Sequence, residues 1–514
     1  MVRLPLKKSA TIVHGNALRI DWNDVVPVAK LSYMLGNPPF IGAKLMTDEQ
    51  RNDLLGVAGN LKSAGLLDFV CGWYLKAAAL IQSGPSRDAG NAANTPSIRC
   101  AFVSTNSITQ GEQVGILWGA LLAQGVHIQF AHRTFRWNNE ARGIAAVHCV
   151  IVGFGLVDIQ LRRLFDYTDI VGEPHEVLAS NINPYLVDAP DVLLPNRSRP
   201  ICKAPEIGIG NKPIDGGYYL FTDEGKNVFL EREPGAAEWF RRWLGADEFI
   251  NGWQRWCLFL RDMPPDILRS MPHVMDVVAS VRSFRLGELP PKSANPVKPI
   301  KERGISATAL ANTPTHFHVT RVSKSAQLVI PSVSSERRSF IPIGFEPPET
   351  LCSNLVLVAV EADLYHFAVL SSTIHMSWVR SVCGRLESRF RYSAGIVYNN
   401  FPWPDLVDDK RRTAIETAAQ GVLDTRARFP GSTLADLYDP LSMPPALVKA
   451  HQALDRAVDA AYVAAEKAAG RRPPNLGTDA ERVAFLFERY QALTSLLPAA
   501  AAKPKNRRTR RTVT

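Results

Sequence analysis

The chain has 514 residues, 46% hydrophobic and 21% charged, and its 59 basic against 49 acidic side chains give a formal charge of +10. That length holds several packed cores, and the composition excludes a disordered or collagen-like chain. The positive balance points toward a polyanionic partner, although part of it sits in the tail Lys503–Arg511.

In chain order, Ala10–Val13 reads as a strand, followed by a turn at Gly15-Asn16 and a short apolar segment. Leu31–Leu35 reads as a short buried strand that feeds into Gly36-Asn37-Pro38-Pro39-Phe40-Ile41-Gly42. Two prolines fix φ and remove two donors, so neither a helix nor a paired central strand continues there. What remains is an amide side chain, a row of free carbonyls and an aromatic ring. Asn37 Oδ1 and the Pro38 carbonyl can accept both N6 hydrogens of an adenine while the Phe40 ring stacks on its face. Accepting those hydrogens turns the nitrogen lone pair away from the ring and toward a methyl donor. An ordinary Pro-Pro turn over a core Phe has the same four residues.

Thr47–Leu55 and Leu66–Ile81 carry helical spacing, and residues 83–97 form a Gly/Ser/Asn-rich loop. Arg99–Thr105 is a strand, Asn106–Gln124 a helix from an Asn/Ser cap, and His127–Ala131 a strand. Phe135-Arg136-Trp137 follows as a loop, and Ala145–Phe154 as a β-rich run. Alternating strands and helices predict an α/β sheet. The rhythm stops at Asn181. Residues 181–405 read as a mixed α+β domain. Residues 406–498 are helical by pattern, in Lys410–Arg428, Pro445–Ala469 and Thr478–Leu497. Residues 499–514 are a basic tail expected to be disordered.

The motif NPPF resembles that of amino-methyltransferases acting on DNA, in the form common among N6-adenine enzymes. Protein-glutamine methyltransferases carry NPPY too. GNPPFIGAK, FVSTNSITQGEQVGILW, FAHRTFRW and AAVHCVIVGF then occur in the order of successive methyltransferase motifs. RLESRFRYSAGIVYNNFPWP and LADLYDPLSMPPALVKAHQALDRAVDAAY add two later blocks. Together these resemble the fused restriction–modification enzymes of type IIL, the MmeI-like family. The resemblance implies a partial Rossmann-like class I methyltransferase sheet over residues 1–180, a target-recognition domain over 181–405 and a helical region over 406–498. It implies S-adenosylmethionine as cofactor and double-stranded DNA as partner. Catalysis falls to Asn37, Pro38, Pro39 and Phe40, with Asn16 and Asp68 beside the cofactor; a plain turn Asn and a helix N-terminal cap are the alternatives for these two. Phe135 and Trp137 are candidates to stack on a flipped base or to pack beneath it. Glu387 and Arg389 hold the place of a base-reading pair, suited to one G·C pair, and a surface salt bridge is the alternative. Arg337 and Arg338 suit phosphate contacts or solvated charge.

Family members also carry a nuclease and a Gly-rich first motif that approaches the methionine part of the cofactor. No such turn lies before Asn37, and Gly208-Ile209-Gly210 is followed by Lys212-Pro213 where a helix should begin. The expectation is the downstream part of a split or truncated adenine-N6 enzyme, with an upstream-encoded subunit as its complement. A non-catalytic DNA-recognition subunit or a decayed fragment is the alternative. Seven Cys without a CxxC suit reduced thiols, and His316-Phe317-His318 lacks companion metal ligands. With no apolar run of about 18 residues, the expected location is cytoplasmic, away from membranes.

Overall fold

The computed structural model describes residues 10–84, 98–137, 147–167, 169–288, 304–405 and 407–495. The basic tail lies outside the described residues. The first region is built on a six-stranded mixed sheet in the order β1-β2-β4-β3-β5-β6. Its strands are β1 (Tyr33–Gly36), β2 (Arg99–Thr105), β3 (His127–Trp137), β4 (Val147–Gly155), β5 (Arg162–Asp166) and β6 (His175–Ala179). β1 runs parallel to β2 and β3 parallel to β5, while β4 is antiparallel to both of its neighbours. These directions bring Gly36, Thr105, Trp137, Asp166 and the start of β4 to one end of the sheet.

Alternation buries one face of β2, and β4 buries Val150, Val152 and Phe154 completely. Helices α1 (Asp48–Ala58), α2 (Cys71–Gln82) and α3 (Glu112–Leu122) accompany the sheet. Tyr74 of α2 is fully buried, stacks on Phe154 at 5.3 Å and meets Phe102 edge-on at 5.2 Å. Its hydroxyl shares a 2.8 Å hydrogen bond with Ser104, so the one polar atom carried inside is satisfied. Apolar burial of this kind contributes about 1.5–3 kcal/mol per large side chain.

Four local expectations are corrected. Ala10–Val13 forms no strand, and nothing among the described residues pairs with it. Among the described residues β1 is an edge strand beside β2, with Tyr33 64% and Leu35 75% exposed. The predicted helix from Asn106 is interrupted: a 3₁₀ turn spans Asn106–Thr109, and α3 begins after Gly111, whose φ of +65° breaks the run. Phe135, Arg136 and Trp137 extend β3, opposite Cys149, His148 and Val147, past a register irregularity after His132.

The second region contains two four-stranded sheets. One orders Leu351–Cys352, Phe240–Leu244, Trp256–Leu258 and Leu220–Phe221; the other orders Gly344–Glu346, Gln327–Pro331, Val356–Ala359 and Ile207–Ile209. A three-stranded sheet joins β7 (Val333–Ser334), β8 (Gly384–Leu386) and β9 (Arg389–Arg391), with β9 central. Helix α4 (Thr373–Val382) leads directly into β8. Last come α5 (Asp409–Ala427), α6 (Pro445–Ala468) and α7 (Asp479–Ser495), close to the periodicity in the sequence.

One continuous core runs from Phe154 of the sheet through Leu328 and Trp378 to Leu454 and Phe487. A separate core gathers Tyr219, Trp243, Val278 and Phe317. The strands between residues 327 and 391 therefore share their interior with the terminal helices, while residues around 219–317 form most of the separate core. Among the described residues, no helix is long and apolar enough to cross a membrane.

Candidate functional site

The loop after β1 begins with a close approach. A Cβ on Gly36 would lie 3.1 Å from the Phe102 ring, so a larger residue there would push that ring by a few tenths of an ångström. Beyond it Pro38 is buried, Phe40 half-buried, and Asn37 and Pro39 exposed. Among the described residues, no side chain or backbone donor hydrogen-bonds to the Asn37 amide or to the carbonyls of residues 37–40. The acceptors predicted from the sequence are all open.

Asp68 fixes the exit of that loop. One carboxylate oxygen accepts from the Ala43 N–H at 2.8 Å, the other from the Ser107 hydroxyl at 2.6 Å. The Phe69 N–H donates to Ile41 O at 2.9 Å, and Arg51 donates to Ala43 O at 2.8 Å. Asp68 is thus a bracket between the loop and the end of β2. Two of the four carboxylate lone-pair sites remain.

Asn16 stands on a turn bound to two helices. Its amide donates to Asp53 at 2.8 Å, and its oxygen accepts from the Leu18 N–H at 3.0 Å. Arg19 pairs with Asp53 at 2.7 Å and Glu49 at 2.6 Å, which holds the Asp53 carboxyl below the usual range. Lys76 of α2 donates to the carbonyls of Ala17, Leu18 and Ile20; burial lowers its pKa. Asn16 is exposed and keeps one N–H and one lone pair.

Phe135 is half-buried and stacks on Tyr167 at 5.3 Å. The Tyr167 hydroxyl bonds His132 Nδ1 at 2.8 Å, and His132 stacks on Phe165 at 4.3 Å. This cluster supports β3 and β5. Trp137 is the last residue of β3.

A cleft of about 550 Å³ separates this end of the sheet from the recognition strands, with Asn106, Arg133 and His148 on one side and Glu336, Arg385 and Ser388 on the other. Burial and the Arg385 charge lower the His148 pKa. Ser388 belongs to the two-residue turn Glu387-Ser388 between β8 and β9. Alternation in the sequence predicts Glu387 and Arg389 on one side of an extended segment; instead Glu387 has φ +58° and the chain reverses there. Arg389 Nη2 donates to Glu387 Oε2 at 2.8 Å, with both side chains exposed. An exposed pair contributes about 0–1 kcal/mol, and a left-handed non-glycine residue costs about 1–2 kcal/mol. Stability does not account for this turn. Arg337 and Arg338 lie in the turn after β7. Arg337 is exposed; Arg338 is half-buried, its pKa lowered by burial against the opposing pull of Asp439.

Two features escaped the sequence. Arg385 lies under the turn, and Gly111 of the first region meets Gly384, where a Cβ on Gly111 would come within 3.1 Å of the Gly384 Cα. An Arg two residues before the ExR pair was the available signal for the first; isolated glycines gave none for the second.

Three family models match the chain in succession: the MmeI DNA-methyltransferase domain over residues 1–166, the MmeI target recognition domain over 188–405 and the MmeI C-terminal domain over 407–498. DNA methyltransferase A of Bacillus subtilis (strain 168) is 37% identical over 493 residues, which is 96% of this chain and 51% of the relative. The solved structure of the type IIL restriction–modification enzyme MmeI in complex with DNA matches at 48% identity and a TM-score of 0.79. That match spans 96% of this chain and 62% of the other. The chain therefore corresponds to about half the length of the curated relative.

Proposed function

The chain belongs to the MmeI family, and from that premise we propose that it is the methylating and sequence-reading part of a restriction–modification system. In this reading it transfers a methyl group from S-adenosylmethionine to N6 of an adenine within a specific double-stranded DNA site. The observation that carries it is the open set of acceptors at Asn37–Phe40, at the same end of the sheet as the cleft facing the recognition strands.

An amine within the duplex is out of reach, so the adenine is flipped out of the stack. Asn37 Oδ1 and Pro38 O accept its two N6 hydrogens, and Phe40 packs on the base. The prolines hold those acceptors in place before the base arrives, so no reorganisation accompanies the reaction. The residues present fit the cofactor: Asn16 has an N–H and a lone pair to spare, and Asp68 has acceptor capacity left near the loop. S-adenosylmethionine supplies the methyl group. Residues 10–36 form no Gly-rich strand-to-helix turn; in this reading such a turn comes from further sequence of the same polypeptide or from an upstream-encoded subunit. Glu387 and Arg389 read one G·C pair, with Arg337 as a phosphate contact. The setting is the cytoplasm, where cellular DNA is found.

The test is nucleoside analysis of DNA treated with the assembled enzyme and methyl-labelled cofactor. Label in N6-methyladenine within one sequence context is expected. Label in cytosine, or in protein, would overturn the assignment.

A further inference from the structure

Resting on the proposed function, we infer that Arg385 is a positioning residue for base reading, which fixes the Glu387-Ser388 turn and is aligned from the C-terminal helices by Asp479. Arg385 of β8 lies over the Phe390 ring of β9 at 3.9 Å. Its Nη1 donates to the Ser388 carbonyl at 3.1 Å, between the two reading residues, and its Nη2 donates to the Arg380 carbonyl at 3.4 Å. One planar guanidinium thus spans from the turn to the last coil of α4. A lysine ammonium has no fixed fork to satisfy both carbonyls and a ring face together.

Arg380 is itself aimed from outside the recognition region. Its Nη1 donates to Asp479 Oδ2 at 2.8 Å, and the other Asp479 oxygen accepts from the Ser377 hydroxyl at 2.8 Å. Asp455 of α6 accepts from the Thr373 N–H at 2.6 Å and its hydroxyl at 2.7 Å, capping the start of α4. Trp378 packs α4 on Phe487 of α7. At the other end the Gly111 N–H donates to Val382 O at 3.0 Å. The exit of the hairpin is tied back where His375 Nε2 meets the Tyr392 hydroxyl at 3.0 Å. Helix α4 is therefore a strut held by the terminal helices and by the start of α3 in the first region, and Arg385 passes its orientation to the turn. Through this strut the C-terminal region sets the pose of the reader.

The experiment selects bound duplexes from a randomised pool with the full chain and the variants Arg389→Ala, Arg385→Met, Arg385→Lys and Asp479→Asn. Total DNA affinity and unfolding temperature are recorded alongside. Arg389→Ala should erase preference at one base pair. Arg385→Met should reduce preference at that same pair by about tenfold, as expected for misplacing a bidentate contact. Arg385→Lys should recover part of it, and Asp479→Asn should weaken it several-fold, with other positions and total affinity unchanged. If Arg385→Met lowers the unfolding temperature, the stable Asp479→Asn variant carries the test. Altered preference at a different pair would make Arg385 a direct reader, and full preference in both variants would mean that the turn holds itself; either overturns the inference. Intact preference in Arg389→Ala would instead remove the base-reading assignment, and the positioning role with it.

Discussion

The loop after β1 and the turn between β8 and β9 both project from strand ends, yet they are held in opposite ways. From Asn37 to Phe40 the loop owes its shape to covalent restriction, with two prolines, a glycine close to Phe102 and acceptors without partners among the described residues, and side chains bracket only its exit, at Asp68 and Arg51. The turn is held by side chains, with Arg385 beneath it, an ion pair across it and α4 behind it. A group that must present bare acceptors to an amine gains from rigidity that uses no acceptor. A reader that uses side-chain tips can instead be fixed by side-chain contacts. Damage to the first should remove chemistry and leave binding; damage to the second should change which DNA is chosen.

The largest effect expected is on the loop. Asn37→Ala should lower methylation turnover by about a hundredfold or more, as for other preorganised contacts, while DNA affinity, dominated by phosphates, stays nearly constant. Turnover within a few-fold of the parent would remove Asn37 from the chemistry. Next, Asp68→Ala strands the Ala43 N–H and the Ser107 hydroxyl and should cost about 1–3 kcal/mol in urea unfolding. Base preference should be untouched, which separates the loop from the reader.

Acid should loosen the reader. His375 is fully buried, its Nδ1 has no partner, and burial pushes its pKa down to about 3. Between about pH 6.5 and that value the unfolded chain binds a proton that the folded chain refuses, so stability falls as pH drops. Relative to His375→Gln, the parent should lose about 1.4 kcal/mol more per pH unit in that window. Equal slopes would mean that His375 is protonated in place. Burial raises the pKa of Asp455 and Asp459, which works in the opposite direction and cancels in this difference. The smallest effect is at the link between regions. Gly111→Ala, at φ +65° and against Gly384, should cost about 1 kcal/mol. It should blur the preference at the pair assigned to Arg389 in the proposed function; a stabilised variant would refute the close contact.

The sequence was most legible where the determinants are local. Pro38-Pro39 announces a stiff turn wherever it occurs, and Leu447, Leu454 and Val458 mark the buried face of α6. It misled where a neighbour decides. Leu31–Leu35 reads as buried, but β1 is paired on one side only. Ala10–Val13 has apolar and β-branched residues and no partner strand. Phe135–Trp137 becomes strand because β4 is long enough to pair with it. Glu387 adopts a left-handed backbone without the Gly or Asn that would signal it, where Arg385, itself bonded to the Arg380 carbonyl, donates to the Ser388 carbonyl of the turn. The role of Asp479 depends on a contact 99 residues away along the chain.

In the proposed function, reading and chemistry are held by separate devices, and Glu387 and Arg389 are the proposed reader. The most direct test exchanges that pair, Glu387→Lys with Arg389→Asp, and selects bound duplexes. Lys then meets guanine where Glu met the cytosine amine, and Asp meets cytosine where Arg met guanine. The preferred base at one position should move to the opposite strand, while each single variant should lose about 1–3 kcal/mol of affinity for the parent site. An unchanged motif in the double variant would contradict the separation and leave the pair as a surface salt bridge.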